Sequence, residues 1–214
     1  LSIQPYIVGI CGGSASGKTF LSRQLLARIP EEKVTFLSLD EYYRPKSQQI
    51  HDDEGLVNWD HPRTISFDEL IKDVERLTRG ETIEREEYTF NNPHAIPAML
   101  TFRPAPIIVI EGLFILHEAK LRDLINLKVF VDADDHIRLD RRLRRDTTER
   151  GQTMDQVLTD YTKYVAPMYE QFVSPHRQYC DLIVPNNKHM YKALDVLAHH
   201  LEYVVKSQAL EAKR

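Results

Sequence analysis

The sequence predicts an α/β domain: a parallel sheet covered by helices on both faces. Three observations lead there. Short β-rich apolar runs alternate with amphipathic stretches of helical length, the pattern of a chain that crosses from strand to strand through helices. The run Ile107-Ile108-Val109-Ile110 is β-branched throughout and shows no apolar–polar alternation, so its strand is expected to be buried on both faces. The chain has 214 residues, 42% hydrophobic and 28% charged, which suits one globular domain with a real core. We therefore expect residues 1–214 to form a single domain, with no internal repeat and no low-complexity linker.

The elements follow in order. Tyr6 to Ile10 is a buried strand ending in a glycine-rich turn, and Lys18 to Ile29 is a helix with Leu21, Leu25, Leu26 and Ile29 on one stripe. Val34 to Leu39 is the second strand. Ser66-Phe67-Asp68-Glu69 has capping-box spacing and opens a helix that stops near Gly80. Further strands are expected at Ile107 to Ile110, Leu127 to Val131 and Leu182 to Val184, and helices at about 118–126, 134–146, 153–172 and 189–207. Pro167 is placed to kink the helix over 153–172. Two segments break the alternation. Residues 41–65 are polar, aromatic and acidic without a helical period, and residues 82–104 alternate weakly around Asn91-Asn92-Pro93, as a hairpin leaving the main sheet would. Excursions of this length inside a compact domain usually carry function.

Composition excludes several classes. Lys and Arg total 28 against 32 Asp and Glu, a net charge of -4, so a general nucleic-acid binder is not expected. Cys11 and Cys180 cannot build a disulfide framework, and Cys11 lies in an apolar run where a buried thiol fits. No apolar stretch is long enough to span a bilayer, and the N-terminal apolar run has no Lys or Arg before Lys18, unlike a secretory leader. A cytoplasmic protein of a reducing compartment, with no membrane partner, is the expectation.

Chemistry concentrates in four places. Gly12-Gly13-Ser14-Ala15-Ser16-Gly17-Lys18-Thr19 matches G-x-x-x-x-G-K-[ST] between a predicted strand and a predicted helix. Its glycines let backbone N–H groups and the helix N-terminus face a phosphate, Lys18 reaches the β- and γ-phosphates, and the Thr19 hydroxyl ligates Mg²⁺. A nucleoside triphosphate is the expected ligand. Glu111 ends the buried strand, where a magnesium-holding carboxylate belongs, although a plain acidic helix cap would also stand there. Asp40 closes the second strand and points at the same crevice, where it can serve as base toward an acceptor hydroxyl, or simply start a turn. Arg138, Arg142 and Arg145 share a helical face within a cluster that includes Arg141, Arg144 and Arg150. Interleaved aspartates make a solvated, salt-bridged face the competing reading to a lid over the triphosphate. Two partial motifs fail. His117-Glu118 lacks the second His of a zinc helix, and Asn187-Lys188-His189-Met190 lacks the Asp of a guanine-reading motif.

Taken together, these residues resemble the uridine–cytidine kinase family of P-loop kinases, with phosphoribulokinase more distant. The resemblance runs from about residue 6 to 185. It rests on residues 12–19, Asp40 with Tyr43, Asn58-Trp59-Asp60-His61-Pro62, Tyr88-Thr89-Phe90, Glu111-Gly112, Arg141 to Asp146 and Glu149-Arg150-Gly151. It implies a P-loop kinase fold with a five-stranded parallel sheet, a β-hairpin at about 82–104 over the acceptor and an arginine-bearing lid at about 134–152. It further implies ATP or GTP as donor, Mg²⁺, a nucleoside or sugar-like acceptor and a homo-oligomer, commonly a tetramer. By resemblance Asp40 is the base at the nucleoside 5′-hydroxyl, Asp60 bonds the ribose, Tyr43, Tyr88 and Phe90 border the acceptor, Arg142 holds it, and Arg145 and Arg150 face the phosphates. Three positions depart from the family: Pro93, with His94 displaced by one, Gln152 for an Arg, and Asp160 for a Gln. All three fall on acceptor recognition. The reading is thus an ATP- and Mg²⁺-dependent kinase of uridine or cytidine, with a kinase of another ribosyl or sugar-like molecule, or a nucleotide sensor without turnover, as the alternatives.

Overall fold

A computed structural model describes residues 4–49, 51–90 and 94–211. Strand β1 (Tyr6–Gly12) lies at the centre of a five-stranded sheet of order β2-β5-β1-β6-β7, completed by β2 (Val34–Ser38), β5 (Ile107–Glu111), β6 (Leu127–Asp132) and β7 (Leu182–Pro185). Every pairing is parallel. Ile10 and Ser38 both pair with Glu111, so the carboxyl ends of β1, β5 and β2 finish together. That shared edge is where ligands collect in such sheets.

The sheet is covered twice because its strands are apolar on both sides. Val8, Ile10, Val109, Val129 and Val131 face α1 (Lys18–Leu26) and α7 (Tyr191–Glu211), meeting Leu21, Leu25, Leu194, Leu197 and Leu201. Ile7, Cys11, Leu37, Ile108, Ile110 and Phe130 face the other way, toward α2 (Phe67–Thr78) and α3 (Ala119–Leu124). Cys11 is a buried thiol, as its apolar setting implied. Among the described residues no helix is long and apolar enough to cross a membrane.

Strands β3 (Ile83–Glu86) and β4 (Met99–Phe102) pair antiparallel in a separate sheet, with Ile83 opposite Phe102. Arg85 pins this hairpin to the domain: its guanidinium lies 3.7 Å over the Tyr42 ring and 3.0 Å from Asp73 Oδ2 on α2. Asn91, Asn92 and Pro93 lie outside the described residues, so the departure at Pro93 has no structural counterpart here.

Two expectations need correction, and one competing reading falls away. Ser66 precedes α2, but no side-chain cap forms. Its N–H donates to the Tyr42 carbonyl at 2.8 Å and Glu69 turns to Arg85, so neither half of the capping box has its partner. The helix expected over 153–172 is divided into α5 (Met154–Asp160), a π-helical turn (Tyr161–Val165) and α6 (Ala166–Phe172). The Ala166 N–H reaches back to the Tyr161 carbonyl, five residues away. Pro167 supplies the reason: it has no N–H to offer Lys163, and its ring would strike that carbonyl in a regular helix. Lastly, the face of α4 (Asp135–Thr148) that carries Arg138 and Arg142 is not a solvated surface. Arg138 and Arg142 are buried together with Asp146. Arg138 is 1% exposed, with its guanidinium 3.6 Å above the Tyr169 ring.

Candidate functional site

The loop between β1 and α1 is built by residues that tolerate its backbone. Gly12 and Gly17 hold φ of 147° and 104°, values an L side chain rarely adopts, and Gly17 is the N-cap of α1. Added Cβ atoms would meet the Val131 carbonyl at Gly12 and the Asn186 amide at Gly17. Gly13, Ser14, Ala15 and Ser16 form the turn, Ala15 with φ of 60°. Lys18 folds over it, its ammonium 3.0 Å from the Gly13 carbonyl. The buried Ser16 hydroxyl has no hydrogen-bond partner among the described residues. A phosphate set in this cradle would meet N–H groups, a helix N-terminus and one ammonium.

Beneath the loop, the Thr19 hydroxyl donates to Glu111 Oε2 at 3.2 Å. Glu111 is buried, and burial raises its pKa against the pull of Lys18. Two hard oxygen donors side by side, one of them a carboxylate short of compensating charge, fit Mg²⁺. Among the described residues no cluster of three or more His, Cys, Asp or Glu could hold a metal, and a magnesium ion shared with phosphates and water needs none.

Asp40 stands two residues past β2, in a 3₁₀ turn whose start is capped by the Ser38 hydroxyl accepting from the Asp40 N–H at 3.2 Å. Its surface is open to solvent, but protein crowds around the carboxylate from behind. That enclosure raises its pKa above the ordinary 3.8, while Lys18, Arg150 and Arg145 pull it down. Asp60 sits across the cleft, 3.8 Å from Arg142 Nη1. Burial raises its pKa too, opposed by Arg142, Arg145 and Arg150 and helped by Asp160. Arg142 also donates to the Ser14 hydroxyl at 2.9 Å, so one side chain links the glycine-rich turn to Asp60. Arg150 lies close enough to Asp40 for each to perturb the other.

Aromatic rings wall the space beside these carboxylates. Tyr43 stacks on Tyr88 with ring centroids 5.5 Å apart and meets the edge of Trp59 at 5.8 Å. Tyr88 and Phe90 are 5.1 Å apart, and Phe90 is exposed at the rim. The Tyr88 N–H donates to Glu41 at 2.8 Å, fastening the end of the hairpin beside Asp40. Gln152 donates to Asp160 Oδ2 at 3.3 Å, so two of the three departures form one pair facing Asp60. The structure thus gathers Lys18, Thr19, Glu111, Asp40, Asp60, Tyr43, Tyr88, Phe90, Arg142, Arg145, Arg150, Gln152 and Asp160 around one cleft.

Sequence reasoning missed a second compartment. Beyond Gly17, a cavity of about 280 Å³ is lined by Phe20, Arg141, Asn186, Lys188, His189 and Tyr191, among others. Arg141 donates to the Asn186 carbonyl at 2.9 Å, and Asn186 donates to the Ser16 carbonyl at 2.7 Å, joining the cavity to the loop. The Asn187-to-Met190 run, rejected as a guanine-reading motif, supplies part of this lining. Its position just after the last strand was the available signal.

Comparison with known proteins identifies relatives along nearly the whole chain. The family model described as "Phosphoribulokinase / Uridine kinase family" matches residues 7–191. A protein named uridine kinase from Streptococcus gordonii is 34% identical over 203 residues, 95% of this chain and 97% of its own length. Another of that name, from Leuconostoc citreum, is 36% identical over 208 residues, covering 96% and 99%. The solved D-glycerate 3-kinase from Cryptococcus neoformans var. grubii shares the fold at a TM-score of 0.62, with 16% identity over 85% of this chain and 86% of its own. With the glycine-rich cradle, the paired Thr19 and Glu111 and the arginine helix all in one cleft, the chain belongs to the phosphoribulokinase/uridine kinase family.

Proposed function

We propose that this protein is a nucleoside kinase that transfers the terminal phosphate of ATP to the 5′-hydroxyl of uridine or cytidine, with Mg²⁺ as cofactor. The observation that carries the reading is the placement of Asp40: a carboxylate with a raised pKa, between the phosphate cradle on one side and the Asp60–Arg142 pair with its aromatic wall on the other. Asp40 accepts the acceptor proton, and Asp60 and Arg142 hold the ribose hydroxyls between Tyr43, Tyr88 and Phe90. Thr19 and Glu111 hold the magnesium ion, which when bound neutralises charge on the phosphates. Lys18, Arg145 and Arg150 face the transferring group. The purine base enters the cavity between Arg141 and His189, and α4 with residues 149–152 forms the lid.

Steady-state kcat/KM across uridine, cytidine and a panel of sugars tests the assignment. A pyrimidine nucleoside is expected to be turned over faster than every sugar. A sugar that outruns both would move the activity to the other acceptor class. ATP binding without transfer to any of them would identify a nucleotide sensor.

A pH profile tests Asp40 in particular. Because its pKa is raised by burial and lowered by Arg150, turnover is expected to fall as pH drops through a value above 3.8. Arg150→Ala removes one of the charges that stabilise the carboxylate, so the acid limb of kcat/KM moves to higher pH. A limb that stays in place would separate Arg150 from the base.

A further inference from the structure

Asp146, in the last turn of α4, has a side chain with no exposure at all. Three guanidinium groups converge on it. Arg145 Nε donates to Oδ1 at 2.7 Å, Arg150 Nη1 lies 3.4 Å from the same oxygen, and Arg142 Nε lies 3.2 Å from Oδ2. The Arg142 approach is an ion pair without hydrogen-bond alignment, because among the described residues neither Arg142 Nε nor Oδ2 has a properly aligned partner. The Asp146 backbone carbonyl accepts from the Gln152 N–H at 3.0 Å, so the chain folds back over the cluster.

Each of these arginines faces something else as well. Arg142 reaches Ser14 on the glycine-rich turn and Asp60 in the acceptor space. Arg145 and Arg150 act on Asp40 through their charge. One carboxylate against three cations leaves the group positive by two, on the side where a triphosphate and an acceptor would meet. The contacts to Asp146 use Nε of Arg142 and Arg145 and one Nη of Arg150; Arg142 Nη1 is turned to Ser14 and Asp60, and the other N–H groups of Arg145 and Arg150 can turn outward. A buried ion cluster is a poor stabiliser compared with apolar packing. Its worth lies in the direction it imposes on long side chains that would otherwise explore many rotamers.

We propose that Asp146 is a positioning residue of the transfer reaction: by gripping the inner edges of Arg145 and Arg150 it aims their outer N–H groups at the phosphate in transit, and by pairing with Arg142 it holds that guanidinium toward the acceptor. The proposal rests on the kinase reading above. It also accounts for a fully buried aspartate on a helix face whose sequence suggests solvent.

The test compares wild type, Asp146→Asn, Asp146→Glu, Arg150→Ala and the Asp146→Asn/Arg150→Ala double variant, with uridine and magnesium-ATP each varied up to saturation. Loosening the three guanidiniums is expected to cut kcat on the order of 100-fold in Asp146→Asn, the scale of a misplacement of about 1 Å. Arg150→Ala is expected to lose a comparable factor, and adding Asp146→Asn to it to cost less than about threefold more, because the residues act as one unit. KM for both substrates should move less than kcat. Asp146→Glu keeps the charge but displaces the arginines, and is expected to lose roughly tenfold in kcat. A kcat within about threefold of wild type in Asp146→Asn, or losses that multiply in full in the double variant, would overturn the proposal. Should Asp146→Asn fail to fold, Asp146→Glu decides alone: wild-type kcat there overturns it and the tenfold loss supports it. A wild-type chain that phosphorylates neither uridine nor cytidine nor a sugar would overturn the kinase reading, and this proposal with it.

Discussion

Replacing Asp40 with Asn is expected to lower kcat about 1,000-fold, within the range general-base groups contribute, while ATP binding measured by calorimetry stays near wild type. The two readouts separate because the proposed work of Asp40 is at the acceptor hydroxyl, whereas the phosphates would rest in the cradle from Gly12 to Thr19. Stability is expected to move the other way. Burial raises the Asp40 pKa above 3.8, so the folded protein holds that proton more tightly than the unfolded chain does. Stability from this group is therefore present at low pH and lost as pH rises through the folded value. At neutral pH the charged side chain is a cost, and Asn removes it. The melting temperature of Asp40→Asn at pH 7 should equal or exceed that of wild type. Unchanged turnover would remove Asp40 from the base role, whereas a large fall in melting temperature would mean that its carboxylate is structural.

Lys18→Ala is expected to have the second largest effect. The ammonium lies 3.0 Å from the Gly13 carbonyl, folded across the turn it would share with the β- and γ-phosphates. As charge builds on the transferring group in a site shielded from water, one fixed cation is worth about 10²- to 10³-fold in kcat. Unlike Asp40→Asn, this variant should also weaken ATP binding, which calorimetry with magnesium present would read. Loss of binding without loss of turnover at saturation would reduce Lys18 to a ground-state contact. Normal behaviour in both measurements would move the nucleotide away from this loop altogether.

The strands, the glycine-rich turn, Asp40 and Glu111 were legible because each is written locally. Apolar runs mark strands, a fixed eight-residue spacing marks the turn, and an acid at a strand end marks the crevice. The cavity beyond Gly17 was not legible, since Phe20, Arg141 and His189 come from three separate parts of the chain and share no pattern. Burial of Arg138 and Asp146 escaped for another reason. Charged residues at helical spacing look the same whether they face water or one another, and here Tyr169 and the three arginines replace the water. Ser66 shows the limit of short motifs: its spacing was right, but the Tyr42 carbonyl had already taken its N–H.

The wide turn at Tyr161–Val165 also sets a phase. Were the same residues wound as a regular helix, everything downstream would swing by roughly 100° about the axis, the angular step of one residue. Tyr169 would then leave its place under Arg138, and the floor behind the glycine-rich turn would open. The enlarged loop of backbone thus works as a spacer. It keeps Asp160 on the side of Asp60 and Tyr169 beneath the arginine helix, two faces that an evenly wound rod of the same length would not serve together.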